Sequence, residues 1–200
     1  MAETWIVVGL GNPGSQYAGN RHNAGHMVLD ELAARVGGSF TLDASRKANV
    51  LAGRMGIGGP RVVLVKPTTY MNVSGAPVGA VTKFFGETEE HVIVVHDEID
   101  IPFSSIKLKR GGSEGGHNGL KSVSQVLGTR DYLRVRVGVG RPPGRMDTAD
   151  WVLQNFSKAE AKDLPFLIDD AADATEQLIR EGLVAAQQKF HGKADQASKA

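Results

Sequence analysis

Two histidines stand four residues apart in the segment GNRHNAGH, residues 19–26. On a helix this spacing puts the imidazoles of His22 and His26 on one face, as a metal site requires. The segment differs from the zinc-protease helix H-E-x-x-H, because no carboxylate lies between the histidines and Gly25 weakens the helix. His26 also has the helical spacing of the apolar residues that follow it, so it is expected to pack against the core. The pattern therefore favours one working base, His22, beside a packed neighbour.

Further candidate side chains stand where predicted strands end or a predicted helix begins. The apolar runs 4–10, 61–66, 91–96 and 132–139 predict strands. In an open α/β sheet the carboxyl ends of parallel strands form the ligand cleft, so residues that follow these strands are expected to converge. The residues expected there are Asn12, Tyr70, Met71, Asn72, Asp97, His117 and Asn118.

The elements that must position these residues alternate between strand and helix. Helical patterns that end on glycine cover residues 23–37, 72–86 and 118–128, and an acidic amphipathic pattern over 158–190 predicts one helix or a pair. This order predicts a single α/β domain over residues 1–191, with three layers, α/β/α, around a mixed, largely parallel twisted sheet. The small, polar segment 192–200 is predicted to be a disordered tail.

Composition limits the class of protein. The chain has 200 residues, 41% of them hydrophobic and 22% charged, which suffices for one core of ordinary size. It has no cysteine, which excludes disulfides, thiolate nucleophiles and cysteine zinc sites. Neither a signal-peptide pattern nor a run of 18 apolar residues occurs, so we expect a soluble, cytoplasmic protein.

Charge is distributed unevenly although the formal net charge is only +1. Residues 107–145 hold nine basic and two acidic side chains, whereas residues 147–181 hold nine acidic and three basic ones. Such asymmetry is typical of proteins that bind nucleic acid or another phosphate-rich ligand. On charge alone, two solvated faces of opposite sign are an equally good interpretation.

Gly9, Gly11 and Gly14 form a literal G-x-G-x-x-G after the first predicted strand, which suggests a dinucleotide-binding oxidoreductase as an alternative function. Pro13 removes a backbone N–H from the turn that would bind pyrophosphate, and the helical pattern begins several residues too late. The ribose-binding acid would be Asp43, in a segment without a clear strand pattern. A tight turn that aims a side chain into a cleft is the favoured interpretation.

A literal G-x-S-x-G at residues 111–115 raises the possibility of a serine hydrolase. A nucleophile elbow passes directly from strand into helix, but here Gly116 and His117 precede the apparent Asn118 cap. Two histidines follow Ser113. The first is very near it in sequence, and the second lies close to the predicted tail. The segment is therefore predicted to be a flexible glycine-rich loop.

Taken jointly, the motifs resemble those of bacterial peptidyl-tRNA hydrolase. The motifs are GLGNPG, RHNAG, KPTTYMNVSG, HDEID, GGHNGLK and RVRVGVGRP, and they occur in order from about residue 4 to about residue 190. The tail and the loop around Ser113 depart from the family's pattern. The resemblance implies hydrolysis of the ester between a peptide, or an N-blocked amino acid, and the terminal ribose of tRNA. It also implies that no metal and no cofactor takes part. We further expect a monomer with no obligate protein partner and no membrane contact.

The resemblance further assigns roles to individual residues. It implies His22 as the base, Asp97 as its partner and Asn12 as the residue that distinguishes blocked from free aminoacyl groups. The substrate contacts are expected at Tyr17, Tyr70, Met71, Asn72, His117 and Asn118. The residues expected to contact tRNA phosphates are Lys107, Lys109, Arg110, Arg134 and Arg136, since phosphate contacts need only positive charge along a path.

The residue chemistry agrees with these roles. The ordinary pKa of histidine lies near neutral pH, which suits a general base. A position at or just before a helix N-terminus disfavours the imidazolium form of His22. Asp97 acts in the opposite direction, because a carboxylate fixes the tautomer and stabilises the cation formed when water loses its proton. The neutral amides of Asn72 and Asn118 are candidates for donating to the developing oxyanion.

Overall fold

A seven-stranded mixed sheet forms the centre of this computed structural model, which describes residues 3–197. The strands are β1 Thr4–Gly9, β2 Thr41–Leu42, β3 Ala48–Arg54, β4 Arg61–Pro67, β5 Val92–Glu98, β6 Ile106–Arg110 and β7 Leu133–Gly138. Their order is β2-β3-β4-β1-β5-β7-β6. The four central strands β4, β1, β5 and β7 are parallel, whereas β2, β3 and β6 pair antiparallel at the edges.

Helices cover both faces of the sheet. They are α1 Ala24–Val36, α2 Gly75–Phe84, α3 Asn118–Leu127, α4 Thr148–Val152, α5 Lys158–Glu181 and α6 Leu183–Ala197. Helices α1, α5 and α6 supply the core on one face, and α2 and α3 supply the core on the other. Strand β1 is consequently buried from both sides, and Ile6, Val7 and Val8 are fully buried. The predicted three-layer α/β/α fold is confirmed.

Local sequence features set the helix ends. Gly37, at a φ of 82°, ends α1, and the Ser157 hydroxyl begins α5 with a capping box shared with Glu160. Gly182 separates α5 from α6, so the acidic C-terminal pattern forms a pair of helices. Helix α6 runs into the segment predicted to be a disordered tail, since it continues to Ala197; residues 198–200 lie outside the described part of the chain.

The antiparallel edge strands were not predicted. Strand β3 mixes small, polar and apolar residues, and β6 alternates lysines with isoleucine and leucine in only five residues. Both acquire their conformation by pairing with a neighbour, β4 or β7, rather than from a continuous apolar run. None of the helices in the described part of the chain is both long and apolar enough to cross a membrane.

Candidate active site

One cavity of about 620 Å³ opens at the carboxyl ends of the parallel strands. It brings together all nine residues predicted to be catalytic or to bind substrate. They are Asn12, Tyr17, His22, Tyr70, Met71, Asn72, Asp97, His117 and Asn118. Segments more than one hundred residues apart in sequence therefore share one site, as the positions of the predicted strand ends require.

His22 and Asp97 form a hydrogen-bonded pair at the base of the cavity. His22 lies in a single 3-10 turn, Arg21–Asn23, directly before α1, and Asp97 lies near the end of β5. The Nδ1 atom of His22 is 2.9 Å from Oδ2 and 3.0 Å from Oδ1 of Asp97. Because the carboxylate only accepts, Nδ1 of the neutral imidazole carries the proton and Nε2 is left as a free acceptor.

His117 holds the same carboxylate from the other side. Its Nδ1 accepts hydrogen bonds from the backbone N–H groups of Gly119 and Leu120 at the start of α3. The proton of the imidazole must therefore lie on Nε2, which donates to Oδ1 of Asp97 at 2.8 Å. Asn118 was predicted to cap α3, but the cap is His117. Both ring nitrogens of His117 are engaged within the protein, and its contact with substrate stays a prediction.

Electrostatics favour an ionised Asp97 and a strengthened base. Burial raises the pKa of Asp97, but the charges and hydrogen bonds of His22 and His117 outweigh it and hold the pKa well below its ordinary value. Burial lowers the pKa of His22, whereas the charge and hydrogen bond of Asp97 raise it, and the net direction is upward. The carboxylate therefore stabilises the imidazolium that forms when His22 takes a proton.

Asn12 is held in a defined orientation beside the cavity. Its Oδ1 accepts from the backbone N–H of Met71 at 2.8 Å, which leaves the Nδ2 group as a donor to a ligand. The backbone of Asn12 is bound at both polar groups by Asn23, whose Oδ1 accepts from the N–H and whose Nδ2 donates to the carbonyl. Since Asn23 follows His22 directly, one buried amide couples the Asn12 turn to the base. Sequence analysis missed Asn23.

Exposed or half-buried side chains form the mouth of the cavity. Tyr70 is 59% exposed, Asn72 and Asn118 are exposed, and Tyr17 is half-buried. These side chains can meet a ligand without displacing protein contacts. Their positions in the cavity lining agree with a binding role.

Helix α4 supplies a wall that sequence analysis missed, through residues Thr148, Ala149 and Val152. Arg21, the residue before His22, anchors α4. The buried Arg21 guanidinium lies 3.4 Å from the centre of the Trp151 ring, donates to the Trp151 carbonyl and forms a 2.7 Å ion pair with Glu160. The sequence feature that corresponds to this contact is the arginine directly before His22.

The trio His22, Asp97 and His117 offers one nitrogen or oxygen each within 4.8 Å, which is close enough to consider a metal ion. A metal would need lone pairs from both imidazoles directed at it. The two ring nitrogens that face Asp97 are instead hydrogen-bond donors to it. The donor set therefore fits a chain of hydrogen bonds centred on the Asp97 carboxylate better than a metal centre.

The glycines of the G-x-G-x-x-G turn serve close packing. A Cβ atom at Gly9 would lie 2.2 Å from the Gly25 carbonyl oxygen, and one at Gly11 would lie 2.6 Å from the His26 ring. These glycines let β1 and its turn approach α1, which begins only at Ala24. The oxidoreductase alternative is not supported.

The G-x-S-x-G segment forms a loop, as predicted. The Ser113 hydroxyl accepts from the backbone N–H of Gly115, and Ser113 is not among the residues that line the cavity. Four glycines of this loop adopt positive φ. The arrangement is a glycine turn and not a nucleophile elbow.

Of the five predicted phosphate contacts, the structure contradicts Arg134 and places Arg110 away from the cavity. Arg134 is fully buried and donates to the carbonyls of Gly112, Ser113 and Arg130, so it anchors the glycine loop. Arg110 lies at the end of β6 remote from the cavity, where its guanidinium meets backbone carbonyls. Side chains alternate between the two faces of a strand, so Lys109 points to the face opposite that of Arg110. Composition alone did not reveal this difference.

The remaining three basic residues form a block, Lys107, Lys109 and Arg136, on one face of β6 and β7. Register pairs Lys107 with Arg136 directly, and Lys109 follows two residues later on the same face. Burial and the neighbouring arginines lower the pKa of Lys109, and burial and Arg134 lower the pKa of Arg136. Crowded cations of this kind favour the approach of an anion.

Comparison with known proteins decides the family. A family model described as peptidyl-tRNA hydrolase matches residues 6–199. The chain belongs to the peptidyl-tRNA hydrolase family. The peptidyl-tRNA hydrolase of Arthrobacter sp. (strain FB24) is 69% identical over 96% of this chain and 98% of that protein, and that of Kineococcus radiotolerans is 60% identical over 97% of this chain and its own full length. The crystal structure of peptidyl-tRNA hydrolase from Acinetobacter baumannii matches with a TM-score of 0.85 and 34% identity over 95% of each chain.

Proposed function

We propose that this chain hydrolyses the ester that joins a peptide to tRNA, with His22 as the general base. Its family makes the chain a peptidyl-tRNA hydrolase, an ester hydrolase. The observation that supports the proposed mechanism is the hydrogen-bond pattern around Asp97, which leaves Nε2 of His22 unprotonated on the cavity side. An ester is already activated toward attack, so one base, one orienting acid and a few donors suffice.

The proposed reaction begins with a water molecule between Nε2 of His22 and the ester carbonyl carbon. Nε2 takes a proton from this water as its oxygen attacks the carbon, and the ester C=O becomes an oxyanion. Asp97 keeps the Nδ1 proton in place and balances the charge of the imidazolium. The intermediate collapses with loss of the ribose oxygen, which receives the proton from His22, so free tRNA and a peptide carboxylic acid are released and the acid then loses its proton to solvent.

Three amides are proposed to position the substrate. Asn72 and Asn118, at the mouth of the cavity, donate to the oxyanion or to the peptide carbonyl. Asn12 is proposed to donate through Nδ2 to the acyl group on the amino nitrogen of the last residue, because its Oδ1 is already occupied by Met71. A free ammonium group would meet this donor unfavourably, which explains selection for blocked amino groups.

The basic block of Lys107, Lys109 and Arg136 is proposed to bind phosphates of the tRNA acceptor stem. It lies on the two strands beside β5, the strand that carries Asp97. Phosphate contacts carry no base sequence, so we expect broad acceptance of tRNAs with binding that weakens steeply as salt rises. We further propose that the protein works in the cytoplasm as a monomer.

Hydrolysis of N-acetylaminoacyl-tRNA tests the proposed function. Release of free tRNA in the presence of a chelator, with much slower release from unblocked aminoacyl-tRNA, is expected. Saturable changes in NAD(P)H fluorescence would instead favour the oxidoreductase. Tight binding of acylated tRNA without turnover would favour a module that only binds RNA.

A further inference from the structure

A second cavity of about 310 Å³ adjoins the candidate active site. It lies between the first half of α1, the ends of β4 and β3, and the loop over residues 13–18. Asn12 lines both cavities, so the two meet at the residue proposed to contact the acyl group. The volume falls at the lower end of the roughly 300–1,000 Å³ typical of ligand pockets.

The second cavity is polar but carries no net charge. Lys66 and Asp30, which both line it, form an ion pair with Nζ and Oδ1 2.6 Å apart. Burial, with the charge of Lys66, lowers the pKa of His26 to about 3, so this imidazole is neutral at physiological pH. The other polar side chains of the lining, such as Asn49 and Thr68, are uncharged. A nucleotide phosphate would meet the exposed carboxylate of Asp30, whereas neutral amide groups meet no such cost.

Strand order places this cavity and the basic block on opposite sides of His22. The base follows β1, and Asp97 lies on the adjacent β5. The basic block lies beyond β5, on β7 and β6, whereas the second cavity lies beyond β1, on β4 and β3. A substrate whose tRNA part lies on the basic block and whose ester lies at His22 must send its peptide toward β4 and β3.

We propose that the second cavity binds the peptide residues that precede the esterified amino acid. This inference rests on the proposed function. An extended peptide advances by roughly 3.4 Å per residue, so a chain that passes Asn12 enters this cavity within its first few residues. The Asn49 amide is directed there because Asn49 pairs in register with Lys66, on the face of the sheet that α1 covers. Asn49 and the Ser15 hydroxyl supply hydrogen bonds to the peptide main chain, and Pro13 and Met27 supply apolar contact.

The test compares two substrates that share the same last amino acid and the same tRNA. One is an N-acetylaminoacyl-tRNA, which ends near Asn12, and the other is an N-acetyltripeptidyl-tRNA. The wild-type protein is expected to have the higher kcat/KM on the longer substrate. Asn49→Phe fills the cavity and is expected to remove this advantage, on the order of tenfold, while leaving the shorter substrate unchanged. Ala52→Phe, an exposed position on the same strand, is the matched control and is expected to retain the advantage.

Each outcome decides the inference. Equal kcat/KM of the wild-type protein on the two substrates would overturn it, and so would equal losses on both substrates in Asn49→Phe. Absence of turnover of both substrates by the wild-type protein would contradict the proposed function itself, which separates the two failures. If Asn49→Phe does not fold, Ser15→Trp places bulk in the cavity from an exposed loop position, and the same selective loss is expected.

Discussion

Replacing Asp97 by asparagine tests the proton arrangement of the site. His117 must still donate from Nε2, because the N–H groups of Gly119 and Leu120 occupy its Nδ1. The oxygen of the amide introduced at position 97 therefore turns to His117, and its NH₂ group turns to His22. Nδ1 of His22 then lies 2.9 Å from a donor at the place of Oδ2, and the oxygen 3.0 Å away is shared with His117, so the favoured tautomer carries its proton on Nε2 and cannot accept from water.

Two costs contribute to the expected loss of activity. Restoring the productive tautomer would set two donors against each other in a buried site, at a cost of about 1–3 kcal/mol. Loss of the charged hydrogen bond to the imidazolium costs about 1.5–3 kcal/mol more. We expect kcat to fall by roughly 10²- to 10⁴-fold. Steady-state hydrolysis of N-acetylaminoacyl-tRNA measures the loss, and nitrogen NMR of His22 reports the tautomer.

A second substitution, at His117, tests this assignment of the protons. In the double variant Asp97→Asn, His117→Phe, nothing holds the new amide oxygen away from His22, so the amide can rotate and accept from Nδ1. The double variant is expected to be more active than Asp97→Asn alone, although loss of the His117 cap costs about 1 kcal/mol of stability. Additive losses, or an unchanged His22 tautomer in Asp97→Asn, would refute the assignment of the protons.

Three further predictions concern pH, salt and the α4 wall. Because Asp97 raises the pKa of His22, the rising limb of kcat/KM against pH should have its midpoint above the ordinary value of 6.5, and a midpoint at or below 6.5 would contradict this. Lys109→Gln should raise KM and reduce the slope of log KM against log salt by about one, whereas Arg110→Gln should change neither. Equal effects of the two substitutions in steady-state assays would contradict the phosphate-binding role proposed for the basic block. Arg21→Met leaves Glu160 without its partner and should lower the free energy of unfolding by about 3 kcal/mol in urea melts while raising KM; an unchanged KM would show that Arg21 does not position the wall.

Sequence patterns predicted the parallel centre of the fold because its strands are continuous apolar runs. They also predicted the cavity residues, since strand ends of a parallel sheet meet at one edge. Strands β3 and β6 escaped prediction because edge strands depend on their pairing partners more than on their own composition.

The details of the site depended on contacts that spacing does not reveal. Arg134 and Arg136 share a face of β7, yet only Arg134 is fully buried against the carbonyls of the glycine loop. His117 is distinguished by the two backbone N–H groups that fix its tautomer, and Asn23 by its two bonds to the Asn12 backbone. These roles arise from tertiary hydrogen bonds, which no periodicity encodes.

The central claim is that the imidazole of His22 removes the proton from water. Its most direct test is the rate of tRNA release from N-acetylaminoacyl-tRNA by the wild-type protein, His22→Ala and Ser113→Ala under identical conditions. Loss of a general base predicts a fall in kcat on the order of 10²- to 10⁴-fold for His22→Ala, with Ser113→Ala unchanged. Comparable rates for the wild-type protein and His22→Ala, or comparable losses in the two variants, would contradict the claim.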